Sequence, residues 1–146
     1  MNRTNLTRTF ALWKSPSNIL SLVMWAIALH SLMVGIGLVI RPTVLMEVFG
    51  FGTCYERFFP TQGGIFHIVM AIGYGMAAFN PDDHYSLVRF ALIVKTVAAV
   101  YLLLYYLLID TLLIVFLSGV IDGMMAGAIW LTNRYYHQHR NRVLSS

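Results

Sequence analysis

The chain contains 146 residues, of which 58% are hydrophobic and 11% are charged, and its formal net charge at pH 7 is +4. Soluble domains contain roughly 45–50% apolar and about 25% charged residues, so this composition excludes an ordinary soluble domain and indicates an integral membrane protein. The basic residues lie mainly in two short terminal tails, which argues against nucleic acid as a partner and for a lipid bilayer.

The first segment, residues 1–18, combines Arg3, Arg8 and Lys14 with apolar side chains at near-helical spacing. It is either a basic cytoplasmic tail or a short helix that lies in the membrane interface, and the residues alone leave both open. The apolar run at residues 19–40 is too long for a removable signal peptide. We predict that this run is the first membrane span.

Two prolines bound the next part of the chain, which consists of a connection followed by the second span. Arg41 and Pro42 end the first apolar run, and the largely apolar connection that follows is expected to rest on the membrane surface. The second span is predicted at residues 60–79, because Asn80-Pro81 then removes a backbone donor and forces an extended conformation.

The last apolar stretch is long enough for two spans. Residues 87–131 are almost continuously apolar, and one helix of that length would extend roughly 65 Å, whereas a bilayer core is about 30 Å thick. Two helices with a tight turn are therefore required, and Asp110-Thr111 is the polar pair near the midpoint. We place the third and fourth spans at residues 86–109 and 111–133, with Asp110 as the N-cap of the fourth.

Together these segments predict an all-α fold, an integral membrane four-helix bundle over residues 19–133 in which neighbouring helices are antiparallel. Residues 134–146 then form a second basic tail, which carries Arg134, Arg140 and Arg142. Because Lys and Arg residues in short flanking segments stay on the cytoplasmic side, both termini are expected to be cytoplasmic.

One polar or ionisable side chain lies well inside each predicted span: His30, His67, Lys95 and Asp122. Counted from the cytoplasmic end of each helix, Lys95 lies about 14 Å deep, Asp122 about 16 Å, and the two histidines about 18–20 Å. The four residues therefore form one midplane layer. A charged side chain that faces lipid at this depth costs at least roughly 2.5–3.5 kcal/mol, so we expect the midplane layer to face inward.

The midplane layer supports three interpretations. Lys95 and Asp122 could form a structural ion pair across adjacent helices, which removes most of the free-energy cost of burying either charge. Asp122 or the histidines could instead orient a ligand such as a quinone or relay protons, because an imidazole titrates near neutrality. His30 and His67, two inward-facing histidines at one depth, could also ligate a b-type haem.

Gly119, Gly123 and Gly127 recur at every fourth residue of the fourth span. Small residues at this spacing let two helices approach closely. The partner helix is either the one that carries Lys95 or a helix of another subunit, and the spacing does not distinguish between them.

No motif of a soluble enzyme class occurs in the sequence. A phosphate-binding glycine loop and a nucleophile elbow are both lacking, and the single cysteine, Cys54, provides neither a disulfide nor a metal-ligand pair. We therefore assign no catalytic residue and no metal ligand, and the sequence does not favour an enzyme.

The sequence from about Ile27 to Leu131 resembles the small four-helix membrane proteins of the DoxX-like and BphX-like groups. The likeness is carried by five short features: Val34-Gly-Ile-Gly37 before Arg41-Pro42, Gly63-Gly64, Asn80-Pro81, Lys95, and Asp122-Gly123. The resemblance implies a bundle in a bacterial inner membrane and, in some relatives, an accessory subunit of quinol-linked or other redox complexes. It transfers no catalytic residue to this chain.

The sequence leaves three functional hypotheses open. The first is a non-catalytic accessory or assembly subunit of a larger membrane complex, with other membrane subunits or further copies of the chain as partners. The second is a module that binds a quinone, a haem or a small apolar ligand at the midplane layer. The third is a small transporter or proton pathway through the same layer, which ranks last because four short helices leave little room for alternating access.

Overall fold

The computed structural model describes residues 16–53 and 55–144, and all regular structure in this part of the chain is α-helical. Five helices occur in chain order: α1 Pro16–Ile40, α2 Pro42–Val48, α3 Phe58–Phe79, α4 Tyr85–Leu108 and α5 Leu113–Leu144. Residues 1–15 of the predicted basic segment and Cys54 lie outside the described residues, as do the side chains from residue 141 onward.

Four of these helices are long and apolar enough to cross a membrane. α1, α3 and α4 contain 25, 22 and 24 residues, and the apolar part of α5, Leu113–Arg140, contains 28. At about 1.5 Å per residue, each exceeds the roughly 30 Å thickness of a bilayer core. At most 33% of the most apolar window of each helix is buried within the protein, so most of the apolar surface faces outward. The chain is thus an all-α, multi-pass membrane protein.

Asn80 and Pro81 set the connection between α3 and α4. Asn80 ends α3 in an extended conformation, with φ −148° and ψ 90°, because the following proline ring disfavours a helical backbone there. The side-chain oxygen of Asn80 then accepts hydrogen bonds from the backbone N–H groups of Asp82 and Asp83, at 3.2 and 3.3 Å. These bonds satisfy two donors that precede α4 and hold the turn in place.

The start of α5 differs from the prediction. The helix begins at Leu113 rather than at residue 111, and Asp110 does not cap it. The backbone N–H of Asp110 donates to the carbonyl of Tyr105 at 3.1 Å, so this residue completes the end of α4 instead. The predicted capping role of Asp110 is therefore wrong.

The end of α5 also differs from the prediction, because the helix continues to Leu144. Residues 134–144, which the sequence indicated as a tail, are helical. No proline or glycine interrupts the chain after Gly127, and arginine and glutamine are good helix formers.

The short helix α2 occupies part of the connection that the sequence predicts to lie on the membrane surface. Pro42 stands at its start, where the fixed φ of proline suits the first helical position. Gly50, with φ 86°, follows the end of α2 in the left-handed conformation that glycine adopts readily. The N–H of Gly50 donates to the carbonyl of Glu47 at 3.0 Å and closes the helix.

The buried core lies toward the end of the bundle where α1 begins and α3 ends. Its side chains come from all four long helices: Leu20, Met24, Ile27 and Ala28 of α1, Tyr74, Ala77 and Ala78 of α3, Val88 and Ala91 of α4, and Ile129 and Tyr136 of α5. The alanines keep the helices close together. In addition, the hydroxyl of Ser21 donates to the carbonyl of Ala78 and joins α1 to α3.

α1 and α3 come into backbone contact at Gly35 and Gly64. A Cβ built on Gly35 would lie 2.7 Å from the carbonyl oxygen of Gly64, and one built on Gly64 would lie 2.8 Å from the carbonyl oxygen of Gly35. Because both obstacles are backbone atoms, any side chain at either position would push the helices apart. Nothing in the spacing of the glycines along the chain indicated this pair.

Candidate functional site

Lys95 of α4 and Asp122 of α5 form an ion pair inside the membrane-spanning part of the bundle. The Nζ atom of Lys95 lies 2.5 Å from the Oδ1 atom of Asp122, and the two side chains are 5% and 14% exposed. Ala91 and Ala99, one turn before and one turn after Lys95, are buried on the same face of α4 and leave room for the lysine chain. The ion pair expected from the sequence is confirmed, and its charges neutralise each other where lipid cannot solvate them.

His30 of α1 and His67 of α3 lie near this ion pair. Both side chains are half-buried, and the charges of Lys95 and Asp122 act on each of them. Neither imidazole makes a hydrogen bond within the part of the chain that the structure describes. All four residues of the midplane layer therefore share one electrostatic neighbourhood, and their role in binding or proton transfer stays a prediction.

Two hydroxyl-bearing residues that the sequence did not single out lie close to the midplane layer. Ser31, next to His30 in the chain, is 1% exposed, and its hydroxyl has no hydrogen-bond partner among the described residues. Tyr74 of α3 is also buried, within electrostatic range of Asp122. Single hydroxyls are common in apolar helices and give no sequence signal, so only the packing identifies these two.

The three glycines of α5 have different neighbours. A Cβ built on Gly119 would lie 3.1 Å from the side chain of Leu103, and one on Gly123 would lie 3.8 Å from the Cβ of Ala99. Both glycines therefore pack against α4, the helix that carries Lys95. Gly127 has no atom within 4 Å of such a Cβ, so the space beside it is open among the described residues.

A second polar cluster joins α5 to the start of α4 and to the turn before it. The hydroxyl of Tyr136 donates to a carboxylate oxygen of Asp82. The Nε2 atom of His137 lies 2.7 Å from the hydroxyl oxygen of Tyr85, which also accepts a hydrogen bond from Asn133 at 3.3 Å. The bonded partners are 48 to 54 positions apart in the chain, so no local pattern predicted them.

Candidate metal and haem ligands are few. Within residues 16–53 and 55–144, no group of three or more His, Cys, Asp or Glu side chains is placed to hold a metal ion. A b-type haem needs only two axial ligands, and His30 and His67 remain the candidate pair for that role.

Comparison with known proteins gives no match for this chain. No family model, no curated protein and no solved structure matches it. The resemblance to DoxX-like and BphX-like proteins therefore stays a prediction based on short motifs, and the site is interpreted from its own geometry.

We expect Lys95→Met to destabilise the bundle, because the Asp122 carboxylate would stay buried without its counter-charge. Removing one partner of a buried ion pair costs about 3–5 kcal/mol, whereas replacing both partners by apolar residues is often nearly neutral. Thermal unfolding in detergent should therefore show a clear decrease in stability for Lys95→Met and recovery in the Lys95→Met/Asp122→Leu double variant.

Arg89→Met is the matched control for this experiment, because Arg89 is an exposed cation on the same helix. Substitutions of that kind usually change stability by less than about 0.5 kcal/mol. Equal stability of the Lys95→Met and Arg89→Met variants would contradict a stabilising role for the ion pair.

Proposed function

We propose that this chain is a non-catalytic accessory or assembly subunit of a larger membrane complex. Two observations on α5 support the proposal. The charge of Asp122 is neutralised within the chain by Lys95, and the space beside Gly127 is open among the described residues. In such a subunit the intramembrane charges pair with each other within the chain, and an apolar face is left for contact with other helices.

The open face of α5 has the shape that a neighbouring membrane helix needs. Met124 and Leu131 on either side of Gly127 are 70% and 60% exposed, and Trp130 is exposed as well. A glycine between larger apolar side chains forms a notch into which the side chains of a second helix can pack. Other membrane subunits or another copy of this chain are the proposed occupants.

The kind of complex and the membrane that we propose for this chain follow from the sequence resemblance. Some DoxX-like and BphX-like proteins accompany quinol-linked or other redox complexes, and we propose the same kind of setting, in a bacterial inner membrane, for this chain. The short motifs around Lys95 and Asp122-Gly123 support this part of the proposal.

The assembly proposal predicts that Gly127→Leu weakens association and leaves the fold intact, because a Cβ at this position meets no described atom within 4 Å and the leucine side chain would occupy the notch. Native mass spectrometry of protein extracted with its lipids should show a wild-type complex and a mainly monomeric Gly127→Leu variant. Gly73→Leu is the matched control, since Gly73 of α3 also has open space around it. A wild-type protein that is monomeric and free of other polypeptides would contradict the proposal.

We also propose that neighbouring long helices are antiparallel and that both termini are cytoplasmic. Contacts between α1 and α3 support the first part, because Ser21 near the start of α1 meets Ala78 near the end of α3, while Gly35 meets Gly64. Four spans return the chain to the side on which it began, and the basic residues of both tails favour the cytoplasmic side.

This orientation predicts the behaviour of reporter fusions. Alkaline phosphatase fused after Ser146 should be inactive, because it would stay in the reducing cytoplasm, and phosphatase inserted after Asp110 should be active. Green fluorescent protein at the same two positions should give the opposite pattern. An active phosphatase at Ser146 would overturn the proposed orientation.

A binding function at the midplane layer is a second candidate. It is favoured by the buried hydroxyl of Ser31, which has no hydrogen-bond partner in the described part of the chain, and by the half-buried imidazoles of His30 and His67, which make no hydrogen bond there. Buried polar groups are normally hydrogen-bonded. A quinone, whose carbonyl oxygens accept hydrogen bonds, or a haem iron, which takes imidazole ligands, would satisfy them.

The binding candidate predicts that a quinone or a haem co-purifies with the wild-type protein and is lost from His67→Ala. Absorption spectra detect a haem, and solvent extraction followed by mass spectrometry detects a quinone. His84→Ala is the control, because His84 lies in the turn before α4, outside the membrane-spanning helices. Absence of both molecules from the wild-type protein would exclude this candidate in its haem and quinone forms.

A further inference from the structure

A cleft between the end of α1, the start of α2 and the start of α3 carries two arginines. It has a volume of about 360 Å³, and its polar lining consists of Arg41, Thr43, Arg57 and Thr61. We propose that this cleft binds the phosphate group of an anionic ligand, and that the ligand is the headgroup of a membrane phospholipid.

The two guanidinium groups bring uncompensated positive charge to the cleft. Neither Arg41 nor Arg57 forms an ion pair within residues 16–53 and 55–144. Glu56, the acidic neighbour of Arg57 in the chain, accepts hydrogen bonds from the backbone N–H of Phe58 at 2.8 and 3.1 Å. A phosphate group would supply the negative charge that no described residue brings within ion-pair distance of these two arginines.

The chemistry of the lining suits a phosphate oxygen. A guanidinium group offers parallel N–H donors that match two oxygens of a phosphate, which makes arginine a preferred partner of this group. The hydroxyls of Thr43 and Thr61 make no hydrogen bond within the described part of the chain, so both can donate as well. Two cations and two hydroxyls can therefore surround one headgroup phosphate.

The surroundings of the cleft favour a lipid over a small soluble anion. Ile40, the last residue of α1, is 69% exposed, and Val44 of α2, which also lines the cleft, is exposed too. The arginines thus stand at the end of a membrane-spanning helix, at the level of lipid headgroups, with apolar side chains beside them. A ligand with a charged phosphate and an acyl chain would contact both kinds of surface, whereas inorganic phosphate would contact only one.

Two further clefts of the bundle differ from this one in chemistry. The groove between α1 and α5 is lined by Val23, Ala26, Ile27, Ile121, Met124, Met125 and Ala128, and it contains no charged side chain. The groove on the outer side of α1 and α3, around Trp25 and Phe79, is equally free of charge. Neither of these grooves offers a cation to a phosphate, whereas the cleft with Arg41 and Arg57, which we call the arginine cleft, offers two.

The test uses the full chain in nanodiscs that contain equal amounts of phosphatidylglycerol and phosphatidylethanolamine. Native mass spectrometry of protein released from these discs should show preferential retention of phosphatidylglycerol. Because both guanidinium groups would lose their charge-assisted hydrogen bonds to the phosphate, we expect the Arg41→Gln/Arg57→Gln double variant to lose this retention by about tenfold or more.

Three comparisons make the outcome decisive. Arg89→Gln changes an exposed arginine of α4 outside the cleft and should retain the lipid like the wild type. If the double variant does not fold, Arg57→Lys keeps the charge and loses the paired donors, so it should show a smaller decrease. Millimolar inorganic phosphate that displaces the lipid would assign free phosphate as the occupant, and undiminished retention would assign the lipid headgroup.

Two results would overturn the proposal. One is a wild-type protein that shows no preference for phosphatidylglycerol and does not bind inorganic phosphate. The other is retention by a folded Arg41→Gln/Arg57→Gln variant that equals retention by the wild type and by Arg89→Gln.

Discussion

A lysine ammonium group among apolar helices needs a counter-charge from the protein, because the hydrocarbon of a bilayer supplies none. In this chain Lys95 of α4 finds it in Asp122 of α5, at 2.5 Å. The ion pair constrains the rotation of both helices, since each must turn its charged residue toward the other. In that rotation Gly119 packs against Leu103, whereas Gly127 has open space beside it. The open space beside Gly127 is therefore a consequence of the same rotation.

The bundle is organised as two closely packed helix pairs. α1 packs most extensively on α3, with Gly35 and Gly64 in backbone contact, and α4 packs most extensively on α5. Each pair contributes to the midplane layer, since the two histidines belong to the first pair and the ion pair belongs to the second. The layer thus lies where the two helix pairs meet.

The groups of polar side chains described above lie at three levels along the bundle. The midplane layer holds the ion pair, the arginine cleft marks one end, and the cluster of Asp82, Tyr85, Tyr136 and His137 marks the other. The cluster attaches the long helix α5 to the start of α4, close to the main hydrophobic core. The cleft is bounded instead by the ends of three helices and by exposed apolar side chains.

The sequence by itself determined the number of long apolar helices and offered the pairing of Lys95 with Asp122 as one of three interpretations of the midplane layer. Hydropathy over about 20 residues is a local property, and two opposite charges in the hydrocarbon have few ways to be neutralised. The sequence also identified the residues of the midplane layer, although it could not say whether they bind anything. The end of α3 before Asn80-Pro81 was equally predictable, because a proline disfavours a helical backbone at the residue directly before it.

Only the tertiary structure decided which glycines pack and which polar groups meet. Gly35 and Gly64 lie in different helices, and their contact depends on how those helices rotate and cross, which no periodicity within one helix specifies. The same holds for Tyr136 and Asp82, which are 54 positions apart, and for the buried hydroxyl of Ser31. The start of α5 at Leu113 was likewise not indicated by the polar pair Asp110-Thr111, and the N–H of Asp110 bonds to the carbonyl of Tyr105 at the end of α4 instead.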